Sequence, residues 1–288
     1  MRIGFIGAGK VGCTLGKYLK IHGKDVTGYY NRSAEAGREA AGFTDTLYYD
    51  NVNDLIRESD AIILTVSDNA IPQVFNSLDK GLLRGKIIAH TSGAMSSSVF
   101  SGSKNYGFFS YSIHPIYAVS DKLKSYENFQ NAFITIEGDA EKLEELKELF
   151  TGLGNSVSCI SSDSKVRYHS AAVFASNLVC GLYETASNIL ISCGFTEEDA
   201  HKALKGLFLD NAQSVAANGP VNALTGPIER NDTETVRKHI TVLSEKEAEL
   251  YRAASEAVLG IAVKKHPERD YTEMSEILKG EGFDRSVC

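Results

Sequence analysis

Residues 3–12 read IGFIGAGKVG, an apolar run that gives way to the pattern G-x-G-x-x-G at Gly7, Gly9 and Gly12. No other feature of the chain constrains its fold as strongly. An apolar run, closely spaced glycines and then a helical pattern from about Lys10 to His22 describe a strand, a tight turn and a helix. Gly7 permits the turn, Gly9 lets the backbone approach a pyrophosphate, and Gly12 lets helix and strand pack closely. The first N–H groups of such a helix have no intrahelical acceptor and face the diphosphate. Gly7, Ala8, Gly9, Lys10, Val11 and Gly12 are therefore expected to cradle a dinucleotide.

The end of the second strand bears on which dinucleotide. A carboxylate there would hold a ribose 2′-hydroxyl, but the chain runs YYNRS and supplies Asn31, Arg32 and Ser33 instead. A cation with two neutral donors suits a 2′-phosphate, which a carboxylate would repel, so the expected cofactor is NADP. Ser33 also suits the N-cap of the next helix, and Arg32 as a solvated loop residue is the simpler alternative. Val66 and Ser67, closing AIILTVS, and His90, closing KIIAH, complete the expected cofactor set.

The alternation continues beyond the fingerprint. RIGFIG, DVTGYY, FTDTLYY, AIILTVS and KIIAHTS are separated by helical segments, which argues for a parallel sheet with helices on both faces. YGFFSYSIH, NAFITIEGD, a helix from about Ala140 to Thr151, and NSVSCI extend that sheet. After about Ser161 the strand pattern stops. SKVRYHSAAVFASNLVCGLYETASNILIS is apolar nearly all round, as for a buried central helix, and further helices follow. The expected fold class is α/β: a Rossmann-type parallel sheet over residues 1–161, then an all-helical domain over 162–288.

Composition narrows the function classes. Among 288 residues, 43 % are hydrophobic and 23 % charged, with a formal net charge of −7 and no basic run. Nucleic acid and anionic membrane are therefore poor partners. Five cysteines, an odd number without a CxxC pair, suit reduced thiols. No apolar run reaches membrane-spanning length and no secretory leader precedes Arg2, so a cytoplasmic protein is expected. The His, Cys and Asp positions show no metal-ligand spacing.

GAGKVG, the NRS turn, HTSGA (90–94), SIHPIY (112–117), ITIEGD (134–139), YHSAAVFASN (168–177) and LTGPIERND (224–232) together resemble the Rossmann-like and DUF2520 domain proteins. These are regarded as NADP-dependent oxidoreductases related to pyrroline-5-carboxylate reductase and to the β-hydroxyacid dehydrogenases, ketopantoate reductases and prephenate dehydrogenases. The resemblance covers nearly the whole chain. It implies hydride transfer from a nicotinamide in the cleft between two domains. Related hydroxyacid dehydrogenases place a lysine four residues before a helical asparagine. Asn177 matches the asparagine, but Val173 stands where the lysine would be, and Lys165 lies two turns further upstream.

Carbonyl reduction leaves an alkoxide, so the site needs a proton donor or an oxyanion stabiliser. His114 is the first candidate. Pro115 removes a ladder donor, so the strand should end at or near His114, beside the crevice at the carboxyl ends of the sheet. Its His-Pro dipeptide is similar to a segment of prephenate dehydrogenases whose histidine contacts the reacting hydroxyl. A packing histidine bonded to backbone is the alternative. His169 shares its helix with Asn177 and is either functional or a satisfied core residue. Ser92 and Gly93 should border the nicotinamide.

Arg230, with Thr225 in the same loop, is expected to bind substrate, either as a carboxylate clamp or as a merely solvated cation. The comparable loop of pyrroline-5-carboxylate reductases holds substrate at a subunit interface. Asp232 is expected to cap the next helix, and His239 to be structural.

The expected function is an NADPH-dependent reductase of a small carbonyl or imine compound bearing a carboxylate. A hydroxy-acid or prephenate-like dehydrogenase and a non-catalytic NADP sensor remain open alternatives. The amount of apolar helix in the second half predicts a homodimer.

Overall fold

The computed structural model describes residues 1–280. The chain divides into two compact units, Met1–Ser176 and Asn177–Cys288.

The first unit runs β1 (Ile3–Ile6), α1 (Lys10–Ile21), β2 (Val26–Tyr30), α2 (Ala34–Thr44), β3 (Leu47–Tyr48), α3 (Val52–Glu58), β4 (Ala61–Leu64), α4 (Ile71–Ser77), β5 (Ile87–His90), α5 (Ser103–Tyr106), β6 (Phe109–Ile116), β7 (Phe133–Gly138), α6 (Leu143–Thr151), β8 (Val157–Cys159) and α7 (Lys165–Phe174). The sheet order is β3-β2-β1-β4-β5-β6-β7-β8. Its first six strands follow the 3-2-1-4-5-6 order of a doubly wound dinucleotide fold. All neighbours pair parallel except β6 and β7, which are antiparallel, so β7 and β8 run against the rest. The expected purely parallel sheet thus acquires a reversed edge.

Alternation along the strands divides the core between the two faces. Phe5, Ile63, Ala89, Tyr111, Ile113, Ile134 and Ile136 meet Leu15, Leu19, Leu146 and Phe150 of α1 and α6 on one side. On the other, Ile6, Ile62, Leu64 and Ile88 pack with Leu55 of α3 and Phe75 of α4. Towards β6 and β7 this second face turns polar, presenting Ser112, Thr135 and Glu137, all at most 4 % exposed.

Pro115 does not end its strand. β6 continues to Ile116, with Pro115 opposite Ile134 of β7. Phe109 donates its N–H to Lys86 O on the β5 side, so odd-numbered residues of β6 face β5. β5 stops at His90 opposite Ser112, leaving the position of the missing proline donor without a ladder partner.

The second unit consists of α8 (Asn177–Ser192), α9 (Glu197–Ala223), α10 (Pro227–Arg230), α11 (Thr233–Val242), α12 (Glu245–Lys265) and α13 (Thr272–Lys279). Gly219, at φ 75°, and Pro220 kink α9 near its end. Ile228, Val236, Ile240, Ala262, Met274 and Ile277 form this unit's core.

Two expectations are corrected here. The chain from Lys165 to Ser192 is two helices, because Ser176 donates its N–H to Val173 and closes α7 on a tightened turn. Moreover, α8 contains no buried residue, so it is not a buried central helix within one chain. The compact units divide after Ser176, and Lys165 ties α7 to the sheet of the first unit. Cys13, Cys159, Cys180 and Cys193 are free thiols, and Cys288 lies outside the described residues. Among the described residues no helix is long and apolar enough to cross a membrane.

Candidate active site

The turn from β1 to α1 has the form the glycine spacing requires. Gly7 sits at φ 115°, where a Cβ would come within 2.8 Å of the Thr65 backbone. A Cβ on Gly12 would overlap the Thr65 hydroxyl, whereas one on Gly9 would find nothing nearer than 3.8 Å. The roles of Gly7 and Gly12 are thus enforced by Thr65, the residue that follows β4, and Gly9 leaves its side of the turn open. Gly9 provides no side-chain cap and the first turn of α1 carries no acid, so its N–H groups remain available to an anion.

Beside this turn lies a cavity of about 460 Å³, bordered by Gly7, Asn31, Arg32, Ser33, Val66, Ser67 and Ala70 among others. Asn31 accepts from Ala8 N–H at 3.3 Å and donates to Ser33 O at 3.0 Å, which fixes the corner. Ser33 caps α2 by accepting from Ala36 N–H at 3.3 Å, as its position implied. The exposed Arg32 lies at the rim. The cradle and the acid-free corner fit a dinucleotide carrying an additional phosphate.

His90 departs from its expected role at the cofactor. It is fully buried, accepts from Ser92 N–H at Nδ1 (3.2 Å), and donates from Nε2 to Ser96 O (3.2 Å). Burial pushes its pKa down to about 4. Both ring nitrogens are therefore spent on holding the 92–96 loop, because the β5 strand turns its side chain into the apolar layer beside Phe100.

The loop held by His90 leads to the cluster of interest. Ser92 Oγ donates to Asp68 Oδ2 at 2.7 Å and accepts from Met95 N–H at 3.1 Å. Ser112 Oγ donates to Ser92 O at 3.1 Å. Lys165, at the start of α7 and 1 % exposed, donates to Ser112 Oγ at 2.7 Å and to Ser92 O at 3.1 Å. Burial lowers the Lys165 ammonium to about 8, while the charges of Glu137 and Asp68 oppose the fall. Glu137 in turn accepts from Ser97 N–H (2.7 Å) and Ser97 Oγ (2.8 Å).

His114 stands on the same face of β6 as Ser112. Its Nδ1 shares a 2.7 Å hydrogen bond with the Tyr168 hydroxyl, and its ring lies edge-on to His169 with centroids 5.9 Å apart. His169 Nδ1 is buried and has no hydrogen-bond partner. Burial, then the Lys165 charge, then His169, lower the His114 pKa to about 4. His114 is thus neutral at physiological pH, unlike the near-neutral acid expected from histidine in general.

The structure therefore brings Ser92, His114 and His169 together in the first unit. Asn177, Thr225 and Arg230 belong to the second unit. Asn177 opens α8, and Thr225 and Arg230 are exposed on the loop around α10. Asp232 is the cap of α11, accepting from Thr235 N–H at 3.0 Å, and His239 bonds Tyr251 at 3.0 Å.

Lys165, Tyr168, Ser112, Asp68 and Glu137 were not singled out from the sequence as parts of a site. A signal for some of them existed. SIH and TIE place a polar residue at every second position of two strands otherwise rich in isoleucine, which marks one polar face. Nothing local showed that Lys165 would reach that face.

Residues 1–115 match the Rossmann-like domain family and residues 132–258 match the domain of unknown function DUF2520. A protein of Thermotoga maritima shares the fold at 25 % identity and a TM-score of 0.71, over 92 % of this chain and 99 % of the other. An imine reductase from Myxococcus stipitatus, in complex with NADP+, is 19 % identical at a TM-score of 0.60, over 92 % and 93 % of the two chains. A pyrroline-5-carboxylate reductase of Coxiella burnetii is 15 % identical at 0.58, over 96 % and 97 %. No curated protein matches the sequence.

Proposed function

We propose that the chain, whose residues 1–115 and 132–258 match the Rossmann-like and DUF2520 domain models, is an NADPH-dependent reductase of a small carbonyl or imine compound bearing a carboxylate. One observation carries this reading. The cavity between Gly7, Arg32 and Ser67 and the cluster around His114 both lie at carboxyl ends of strands in one sheet, joined through Asp68 and Ser92. Doubly wound sheets bind ligands at such ends. The same fold in an imine reductase that binds NADP+ and in a pyrroline-5-carboxylate reductase supports the reaction class.

Under this reading the α1 N-terminus receives the diphosphate, and Asn31, Arg32 and Ser33 receive the 2′-phosphate. NADPH, when bound, supplies the hydride. His114 Nε2 carries the proton offered to the developing oxyanion, and the Tyr168 hydroxyl donates to Nδ1 to hold that tautomer. A neutral imidazole can do this because its depressed pKa keeps the ring a hydrogen-bond donor rather than a cation. His169, with its unpartnered Nδ1, borders the same space. Arg230, Thr225 and Asn177 are substrate-contact candidates, and Arg230→Ala should raise KM for an acidic substrate more than it lowers kcat.

Homodimerisation through the second unit belongs to the same proposal. The exposure of Leu182 (45 %) on α8 and Leu207 (70 %) on α9 supports it, because apolar helix faces of this kind are normally covered.

The test is NADPH oxidation across a panel of 2-oxo acids and cyclic imines. Turnover of at least one member is expected. Tight NADPH binding without turnover of any member would replace the reductase with a cofactor sensor.

A further inference from the structure

We infer that Lys165 is a positioning residue for His114: its buried ammonium pins the Ser92–Gly93 segment against the imidazole and sets the electrostatic surroundings of that ring. The geometry is a closed arrangement of three groups. Lys165 Nζ donates to Ser112 Oγ and Ser92 O, and Ser112 Oγ donates to the same Ser92 carbonyl. Gly93, the next residue, lies so close to His114 that a Cβ would stand 2.9 Å from Nε2. The position of Ser92 O therefore decides what His114 Nε2 faces.

A lysine 1 % exposed is an unusual choice for a mere clamp. Burying an ammonium is costly unless it is paired, and a methionine of similar length would fill the space without that cost. Here the direct partners are a carbonyl and a hydroxyl rather than a carboxylate. The two nearby carboxylates are engaged elsewhere, Glu137 by Ser97 and Asp68 by Ser92. The positive charge is thus retained without being neutralised by an ion pair, and His114 lies within its field.

The groups that face His114 come from each element packed around it. Lys165, Tyr168 and His169 belong to α7, His90 to β5, Asp68 to the turn before α4, and Thr135 and Glu137 to β7. Of the charged groups among them, Lys165 and the imidazoles oppose protonation of His114, while Asp68 favours it. Removing the lysine leaves the Asp68 and Glu137 carboxylates as the remaining charges, so the imidazolium should become easier to form.

The inference is tested by ring-nitrogen NMR of the full chain with labelled histidine, the His114 signal being identified by its loss in His114→Gln. In the unsubstituted protein the neutral His114 ring should show a second inflection near pH 8, as Lys165 loses its proton. In Lys165→Met that inflection should vanish and the imidazolium midpoint should rise by about one pH unit. Ser112→Ala removes one acceptor and keeps the charge, so it should move the inflection to lower pH. This second variant decides the matter should Lys165→Met fail to fold. A His114 signal without any inflection near pH 8, or an inflection unmoved in Ser112→Ala, would overturn the inference.

The catalytic consequence rests on the reductase reading. Lys165→Met should lower kcat roughly tenfold or more with little change in KM for NADPH, and Lys165→Arg should recover part of the loss. The NMR result does not depend on turnover. A failed substrate search would thus leave Lys165 testable, and a flat titration would leave the reductase reading standing.

Discussion

Gly93 and His114 are in such close approach that a single added carbon on Gly93 would sit 2.9 Å from His114 Nε2 and overlap His169 Nδ1. Gly93 has no positive φ, so its requirement is steric rather than conformational. Gly93→Ala should therefore displace one or both imidazoles while leaving the β1–α1 cradle untouched. The expected outcome is a fall in turnover of about a hundredfold with NADPH affinity within about twofold. A fully active variant would show that this contact yields without consequence.

His114→Ala should lower turnover by about 10²–10⁴-fold, the usual range for a positioned proton donor. Tyr168→Phe keeps the imidazole and removes the hydroxyl that bonds Nδ1, with its contact to Thr135, and should lower turnover less. Steady-state kinetics with any substrate from the panel would check both. An unchanged kcat in His114→Ala removes the histidine from the mechanism.

Arg32 lines the cavity without a carboxylate beside it in the Asn31–Ser33 corner. Arg32→Ala should weaken NADPH binding by about tenfold to a hundredfold, the effect of one charge-assisted hydrogen bond. NADH binding should change little. Fluorescence titration with both nucleotides separates the outcomes, and equal losses for the two would remove Arg32 from 2′-phosphate recognition.

His90 and His114 both have folded-state pKa values lowered to about 4, against about 6.5 for an unfolded histidine. Between these values the unfolded chain binds protons that the folded chain does not. The stability conferred by the neutral rings is therefore complete above pH 6.5 and is lost as pH falls towards 4. Each ring contributes on the order of 3 kcal/mol across that window. Lys165, lowered to about 8, behaves likewise at higher pH: stability should rise as pH increases from about 8 to about 10.5. Urea midpoints measured over both ranges would check the slopes, and His114→Gln should flatten the acid one.

The second unit should self-associate through the apolar residues left open on α8 and α9, where Leu207 is 70 % and Leu209 45 % exposed. Light scattering at micromolar concentration should return the mass of a dimer. Leu207→Lys should shift that mass towards the monomer. A monomer at all concentrations would contradict the assignment.

Much of the fold was legible in the sequence because its signals are local. The glycine spacing, the YYNRS corner and the strand–helix rhythm each lie within about thirty residues, the length of one βαβ unit. They gave the α/β first half and the β1–α1 turn, and they named residues that line the cavity beside it. The reversed direction of β7 was not legible, since alternation along a strand carries no direction. Nor was the continuation of β6 through Pro115, which depended on where β5 happens to stop. The division of the Lys165–Ser192 segment was missed because small and apolar residues suit a continuous helix equally well.

By itself the sequence determined that a dinucleotide-type turn forms at Gly7–Gly12, that no acid follows the second strand, and that His114 ends up near the carboxyl edge of a sheet. Only the tertiary structure decided which partners His114 meets. Lys165 lies 53 residues from Ser112 and 73 from Ser92 along the chain, and Tyr168 lies 54 from His114. No periodicity connects such distances. They close because the antiparallel β7 brings the chain back so that α7 covers the polar face of β6. Burial there lowers the charge state of both His114 and Lys165, and that depends on the packed environment rather than on either residue type.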